Sequence, residues 1–434
     1  MTVTQPEFGQ RLRRLRLERG LSQRALAGDV VTPSYVSIVE AGGRVPTLDV
    51  VLHMARQLPA TIEELLGEDG NLLWAQTAVR SGAGATMLAA QQSAQEYLDI
   101  GDYAAASRTL LASFERCVAF GESDAALQFG LRLQSVLTAL GDRAARLELV
   151  ERMLELPVPA EAERVSLALR IDHAAALRDL GRLTEARDVA QSALADAGED
   201  EARAGSPEHV RCLGVLISAL SELGEPAVAQ PLIPVMLALA ERSGSRILSG
   251  RARWVAALAH AQAGRAEEAA EQIIAAVGRL SSPGLPLAEW ARLCRSVTAI
   301  LLDGAAPGEE RRRETEEWLR DAERTARLLN GPADVAAAAC LRARFELGLG
   351  HARDAARIFA GVLRPDNPLQ GLERIRAELS YADALERSGA TQEAAQALRE
   401  AAEMLERSGA LQRAIQVWRR IDQLRDPNGE PAKA

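Results

Sequence analysis

The chain has 434 residues and a net charge of −9, with 47% hydrophobic and 26% charged residues. That balance describes a folded, water-soluble protein and excludes a disordered or fibrous chain, and the length allows two or more cores. No apolar run approaches the ~20 residues needed to span a bilayer, and the N-terminus MTVTQPEFGQRLRR lacks an apolar signal core.

Aromatic residues make up only 3% of the chain, and Ala, Leu, Arg and Glu dominate, which favours helix. The four cysteines (Cys117, Cys212, Cys294, Cys340) are far apart with no CxxC spacing, and the five histidines stand alone. Neither a structural metal nor any cofactor is expected. Free buried thiols fit a reducing cytoplasm. Residues 1–60 hold eight Arg against five Asp or Glu, a charge of +3, which leaves −12 for residues 61–434. A basic head on an acidic body suggests that only the head meets a polyanion.

In chain order, FGQRLRRLRLERGLS places Phe8, Leu12 and Leu15 on one face of a helix that Gly20 ends. Ser22 is positioned to cap a short second helix with Ala25 and Leu26 inside. Thr32 caps a third, with Pro33 at its first position, running to about Glu40 and burying Val36 and Val39. Gly42–Gly43 stop it. Thr47 caps a fourth helix with Leu48, Val51, Leu52 and Ala55 inside, and Thr61 starts a fifth, IEELLG. Two short helices joined by a tight turn within about 60 residues make a helix-turn-helix.

These residues resemble the DNA-binding domain of the lambda-repressor-like, or XRE, family. The matching parts are the basic first helix Arg11–Arg16, LSQRALA (21–27), TPSYVSIVE (32–40) and GGRVP (42–46). One departure is the turn GDVVT (28–32), a residue shorter than the family pattern, so the second helix is expected to end early. The resemblance implies that Gln23 contacts a phosphate through its side chain and the helix N-terminus. It places Pro33, Ser34, Ser37 and Ile38 on the outward face of the recognition helix, after the cap Thr32. It puts Tyr35 against the DNA backbone or in the packing, and Arg44 on phosphate. Glu40 is expected to pair with Arg16 inside the domain. The recognition helix presents no Arg, Asn or Gln outward, so readout would lean on serine hydroxyls, thymine methyls and DNA shape. Such a head works as a dimer on two half-sites of a double-stranded operator; a purely structural unit is the alternative.

Residues 69–85 are either a linker or a degenerate first repeat. From 86 to 425 the sequence repeats. A bend of the form GDYAAA (101–106) recurs as GRLTEA, GEPAVA, GRAEEA, GHARDA and GATQEA, with weaker copies at 141 and 304. The glycines stand at 101, 141, 181, 224, 264, 304, 350 and 389, and further Gly and Pro breaks fall between them. About eight helical hairpins follow, each burying its apolar face only by stacking on its neighbours. The pattern resembles the tetratricopeptide repeat with longer helices. Residues 409–425 make a capping helix, and 426–434 are a disordered tail. The fold class is therefore all-α: a five-helix head followed by a tetratricopeptide-like solenoid.

In tetratricopeptide proteins the first helix of each hairpin lines a concave groove. Counting back from the bend glycines gives Arg178, Arg211, Arg251, Trp254, Arg344 and Arg376 as groove residues, a wall able to hold an acidic or aromatic ligand or a peptide carboxylate. The same arginines fit ordinary solvated positions in an Arg-rich chain. The domain order is similar to the bacterial peptide-sensing regulators of the RRNPP group, which clamp peptides with groove asparagines. Here Asn71, Asn330, Asn367 and Asn428 all lie off the expected groove helices, so a small-molecule effector or protein partner is as compatible as a peptide. No Gly-rich phosphate loop, GxSxG or HExxH is present. The expectation is a non-enzymatic, cytoplasmic, homodimeric transcriptional regulator; the alternative is a scaffold with constitutive DNA docking.

Overall fold

The computed structural model describes residues 6–28, 30–44, 46, 48–58, 65, 87–157, 163–198, 206–281, 285–304 and 308–425. Every regular element among them is a helix. The chain divides into two compact units, Met1–Asp102 and Tyr103–Ala434.

In the first unit, α1 (Glu7–Glu18), α2 (Gln23–Ala27), α3 (Pro33–Glu40) and α4 (Leu48–Gln57) enclose one core of Phe8, Leu12, Leu15, Leu26, Val36, Val39, Val51, Met54 and Leu58. The caps are those the sequence implies: Ser22 Oγ accepts from the Ala25 N–H at 3.0 Å and Thr32 Oγ1 from the Tyr35 N–H at 3.2 Å. The second helix ends after five residues, at Gly28 with φ +51°. His53 lies 2.9 Å from the Ala27 carbonyl and covers that end. Gly9 lets α1 cross the end of α3 closely; a Cβ there would lie 2.2 Å from the Val39 carbonyl oxygen. A fifth helix, α5, spans residues 87–99. The expected Thr47 cap, the helix at Thr61, the 69–85 segment and the 426–434 tail lie outside the described residues.

The second unit opens with α6 (Tyr103–Ala119). Seven hairpins follow: α7 (Ser123–Leu140) with α8 (Arg143–Leu154), α9 (Glu163–Asp179) with α10 (Leu183–Gly198), and α11 (Pro207–Leu223) with the split helix α12 (Pro226–Ala229) and α13 (Leu232–Arg242). Next come α14 (Arg246–Gln262) with α15 (Ala266–Leu280), α16 (Leu287–Asp303) with α17 (Glu309–Leu329), α18 (Pro332–Gly348) with α19 (Ala352–Val362), and α20 (Gly371–Ser388) with α21 (Thr391–Arg407). The last element is α22 (Leu411–Arg425). The bend glycines 141, 181, 224, 264, 350 and 389 take positive φ, as a left-handed helix stop requires. Gly304 does not; it is extended at φ −68° and ψ 165°. Pro231 falls where α12 gives way to α13, because it cannot continue the preceding turn.

From α9 onward, consecutive first helices of the hairpins pack on one another, whereas consecutive second helices share at most marginal contact. The stack is therefore curved, with first helices on the concave side. The curvature brings the chain back on itself. The Leu183 N–H donates to the Ser408 carbonyl at 3.3 Å, and Leu183 and Leu223 join the core of α20–α22. Arg143 pairs with Glu373 at 2.5 Å. Glu222, almost fully buried, accepts from Gln262 on the next hairpin, from Arg376 a turn later, and from Arg413 at 2.8 Å. Burial opposes the Glu222 charge, but these three donors outweigh it and hold the carboxyl below the ordinary glutamate value.

Two predictions follow from buried carboxylates. Because Glu222 is depressed in the folded state, its stabilisation is complete above about pH 4.3 and is lost as pH falls through the lower folded value. Glu222→Ala should cost about 2–3 kcal/mol in urea unfolding at pH 7. That is below the ~3–5 kcal/mol of a fully buried pair, because Arg376 is half open to water. Glu222→Gln should flatten the acid loss, and an unchanged acid limb would count against the closure. Glu378 behaves oppositely. Burial and the nearby Glu400 push it up to about 7, against Arg374 at 3.7 Å. A raised acid loses stability as pH rises from about 4.5 to 7, so Glu378→Gln should gain roughly 1–3 kcal/mol at pH 8 relative to its effect at pH 4.

Candidate functional site

The head's functional face is built from inside outward. Arg16 and Glu40 are both buried. Arg16 Nε and Nη2 donate to the two carboxylate oxygens of Glu40 at 2.5 and 3.0 Å, and Nη1 donates to the Leu21 carbonyl at 2.8 Å. The pair ties α1 to the end of α3 and to the start of the turn before α2. Burial works against the Glu40 charge, and the hydrogen bonds from Arg16 and Gln23 with the charges of Arg16 and Arg13 reverse the balance, holding it below the usual range. The hydrogen bond to Glu40 raises Arg16. α3 cannot roll about its axis without breaking this bidentate contact.

With α3 so fixed, Thr32, Pro33, Ser34, Ser37 and Ile38 are all exposed, with Ile38 at 47%. Tyr35 is half-buried, and the Arg44 guanidinium sits over its ring at 5.1 Å; this cation–π contact brings the two residues together. Gln23 differs from expectation. Its Nε2 donates to Glu40 at 2.8 Å, so in the free protein its side chain braces the ion pair instead of facing outward. The face offers hydroxyls, a proline ring and one aliphatic side chain.

The six expected groove residues fall on the first helices of five different hairpins. Five are arginines, and every one is matched by a carboxylate. Arg178 meets Asp179 at 2.6 Å, Arg211 meets Asp172 at 2.7 Å, and Arg251 holds both oxygens of Glu289 at 2.6 and 2.7 Å. Arg344 pairs with Asp303 and Arg376 with Glu222. Trp254 packs against the core that contains Leu293 and Val297, beside Trp290 and Trp318; its buried Nε1 has no acceptor.

Counting back from bend glycines misses Arg292. It stands 12 residues before Gly304, whereas the count takes residues 13, 10, 6 and 3 before a bend glycine. The signal that finds Arg292 is register with the preceding hairpin, since Arg251 reaches Glu289, one helical turn before Arg292 on the same face.

A short helix and an exposed second helix, fixed by a buried ion pair, define a helix-turn-helix head, and a curved stack of helical hairpins forms the body. A family model described as a helix-turn-helix domain matches residues 7–66. No curated protein matches the chain. Among solved structures the chain is similar to PlcR of Bacillus thuringiensis, solved in complex with the peptide PapR7 and DNA. The two share 15% identity over 74% of this chain and 95% of that chain, with a TM-score of 0.37. It is also similar to a Rap protein complexed with Competence and Sporulation Factor, at 12% identity over 97% and 98% with a TM-score of 0.49. A third is aspartyl phosphate phosphatase F from Bacillus subtilis, at 13% identity over 100% and 98% with a TM-score of 0.42.

The ion pair is the element to break. Glu40→Ala leaves a buried guanidinium without its partner and should cost the head about 3–5 kcal/mol. Urea unfolding followed through a head-specific probe should show the loss, with the transition of the hairpin stack unmoved.

Proposed function

We propose that the protein is a sequence-specific DNA-binding transcriptional regulator. The observation that carries this reading is the outward face of α3. Ser34, Ser37 and Ile38 are exposed on a helix whose roll is set by Arg16 and Glu40. Pro33 at the helix start, Ser34 and Ser37 hydroxyls, and Ile38 would enter the major groove. Ile38 and Pro33 suit thymine methyls. Arg44, steadied by Tyr35, would meet a phosphate, and the N-terminus of α2 at Gln23 another. Such a face carries little base-specific hydrogen bonding, which makes DNA shape a large part of the readout.

One head grips DNA weakly, so the working form is a homodimer on two half-sites about 34 Å apart or a multiple of that. The hairpin stack carries the dimer contacts, the effector site or both. Its concave wall is the effector site in this reading, and a change in its curvature would alter the spacing of the two heads. Equal small-angle scattering profiles with and without a binding effector would remove that mechanism.

The direct test is binding-site selection from genomic fragments with the full chain, repeated with Ser34→Glu and Ser37→Glu together. Wild type should yield an inverted repeat and favour it over bulk DNA by at least ~10³. The double variant, folded by circular dichroism, should lose the motif, because two carboxylates face the phosphates. Wild-type affinity should fall by about 10³–10⁵ between 50 and 200 mM salt if 6–10 phosphates are contacted. A folded wild type with no enriched motif and a shallow salt slope would instead favour a scaffold that docks on protein.

A further inference from the structure

The concave wall is almost entirely self-neutralised. From α9 through α18, each described arginine on a first helix but one has a hydrogen-bond or ion-pair partner. Arg164, Arg170, Arg178, Arg211, Arg251, Arg253, Arg295, Arg342 and Arg344 meet side chains, and Arg246 meets the Gly278 carbonyl. Arg292 on α16 is the exception. It is exposed and has no such partner among the described residues.

Its setting is unusual for an exposed arginine. Although the residue is exposed, desolvation by the surrounding protein pulls its guanidinium below the ordinary value; Asp179 and Glu289 act against this, and Arg178 and Arg295 reinforce it. Asp179 and Arg178 belong to α9, three hairpins before α16. Arg292 is exposed on a first helix, one turn from Glu289, which pairs with Arg251 on the adjacent first helix. It therefore stands on the concave wall.

The carboxylates around it are already committed. Asp179 is held by Arg178 at 2.6 Å and Arg146 at 2.9 Å, Glu289 by Arg251, Asp334 by Arg295 at 2.7 Å, and Glu373 by Arg143. In this connected cluster six guanidinium groups, Arg292 included, face four carboxylates. A body with a net charge of −12 thus carries a local cationic excess in its interior.

We propose that Arg292 is the anchor of an oxyanion-binding site in the bore, taking a small molecule that presents a carboxylate or a phosphate group. A guanidinium matches both through two parallel N–H donors. Partial desolvation of the guanidinium strengthens that contact relative to open water. Neighbouring Arg178 and Arg295 would add attraction without releasing Asp179 or Asp334. This inference deepens the effector reading above and rests on the concave wall being the effector site, but binding itself does not depend on the head.

The test is a thermal-shift and calorimetric titration of the full chain with inorganic phosphate, succinate, and tetra-alanine as free acid and as C-terminal amide. Ionic strength is matched throughout with chloride. At least one oxyanion should raise the melting temperature saturably beyond chloride, and the free-acid peptide should outdo its amide if the source is a peptide terminus. Arg292→Gln should weaken that binding about tenfold or more, while Arg312→Gln on the outer helix α17 leaves it unchanged. Arg292→Lys, which keeps the charge but not the fork, should also weaken it and guards against a folding defect in the glutamine variant. No saturable shift with any of the probes, or equal shifts in wild type and both Arg292 variants, would overturn the proposal. Repeating operator binding with the bound anion separates the two readings. If the anion binds through Arg292 and DNA affinity is unchanged, the site stands and its effector role falls.

Discussion

The shape of the body depends on one buried carboxylate. A stack of hairpins in which each touches only its neighbours has no built-in reason to hold a particular curvature. Glu222 supplies one. It sits at the end of α11 and accepts from Gln262 on the next hairpin and from Arg376 and Arg413 on helices a full turn away. The contact where the chain returns is close: a Cβ on Gly409 would lie 2.6 Å from the Thr184 methyl, and one on Gly371 3.0 Å from the Asp179 carbonyl. Apolar burial of Leu183 and Leu223 in the α20–α22 core supplies attraction. The carboxylate, which cannot remain buried unpaired, sets where that attraction is made.

The same rule shapes the wall between these ends. Asp172 and Arg211, Glu289 and Arg251, Asp334 and Arg295, and Asp303 and Arg344 are all partners on successive first helices. Singly, such half-exposed pairs contribute little. Repeated along the wall, they set the register between helices that are otherwise joined by alanine and small aliphatic contacts. A composition with 3% aromatics has few bulky side chains with which to fix that register, and charge pairing takes over the task.

Much of this architecture is legible in the sequence, for local reasons. Caps, helix-stopping glycines and the head's apolar periodicity depend on residues a few positions apart. Ser22, Thr32, Gly28 and the bend glycines other than Gly304 accordingly fall where the sequence puts them, and the Arg16–Glu40 pair follows from the resemblance. The misses depend on distance. Gly304 is read as a weaker copy of the bend, and α16 ends there in an extended conformation; Arg292, 12 residues before it, falls between the counted groove positions. The arginines at 178, 211, 251, 344 and 376 lie on first helices, yet nothing local reveals that each has a carboxylate, because most of the partners lie about one repeat away. The bond of Gln23 to Glu40 likewise depends on α3 folding back within its reach. The closure at Glu222 is invisible to any window shorter than 150 residues, since curvature accumulates from small rotations at every hairpin.

These features determine what an anion would meet inside the bore. To reach Arg251 it must displace Glu289, a carboxylate tethered in place and bound through both oxygens, and Arg211 and Arg344 present similar competition. Arg292 has no such competitor, so selection among chemically identical side chains comes from pairing. Position matters as well. Arg292 faces Asp179, which is held by Arg178 and Arg146 within the field of Arg143, and Arg143 in turn holds Glu373 on α20, at the place where the turn closes. A ligand changes a protein's shape only through a difference in its affinity for two arrangements. An anion at Arg292 would alter the charge balance of a cluster that includes one of the ion pairs of the closure, so its affinity depends on whether that closure is made. Binding in the bore and curvature of the stack are then two readings of one electrostatic balance, and their coupling is reciprocal.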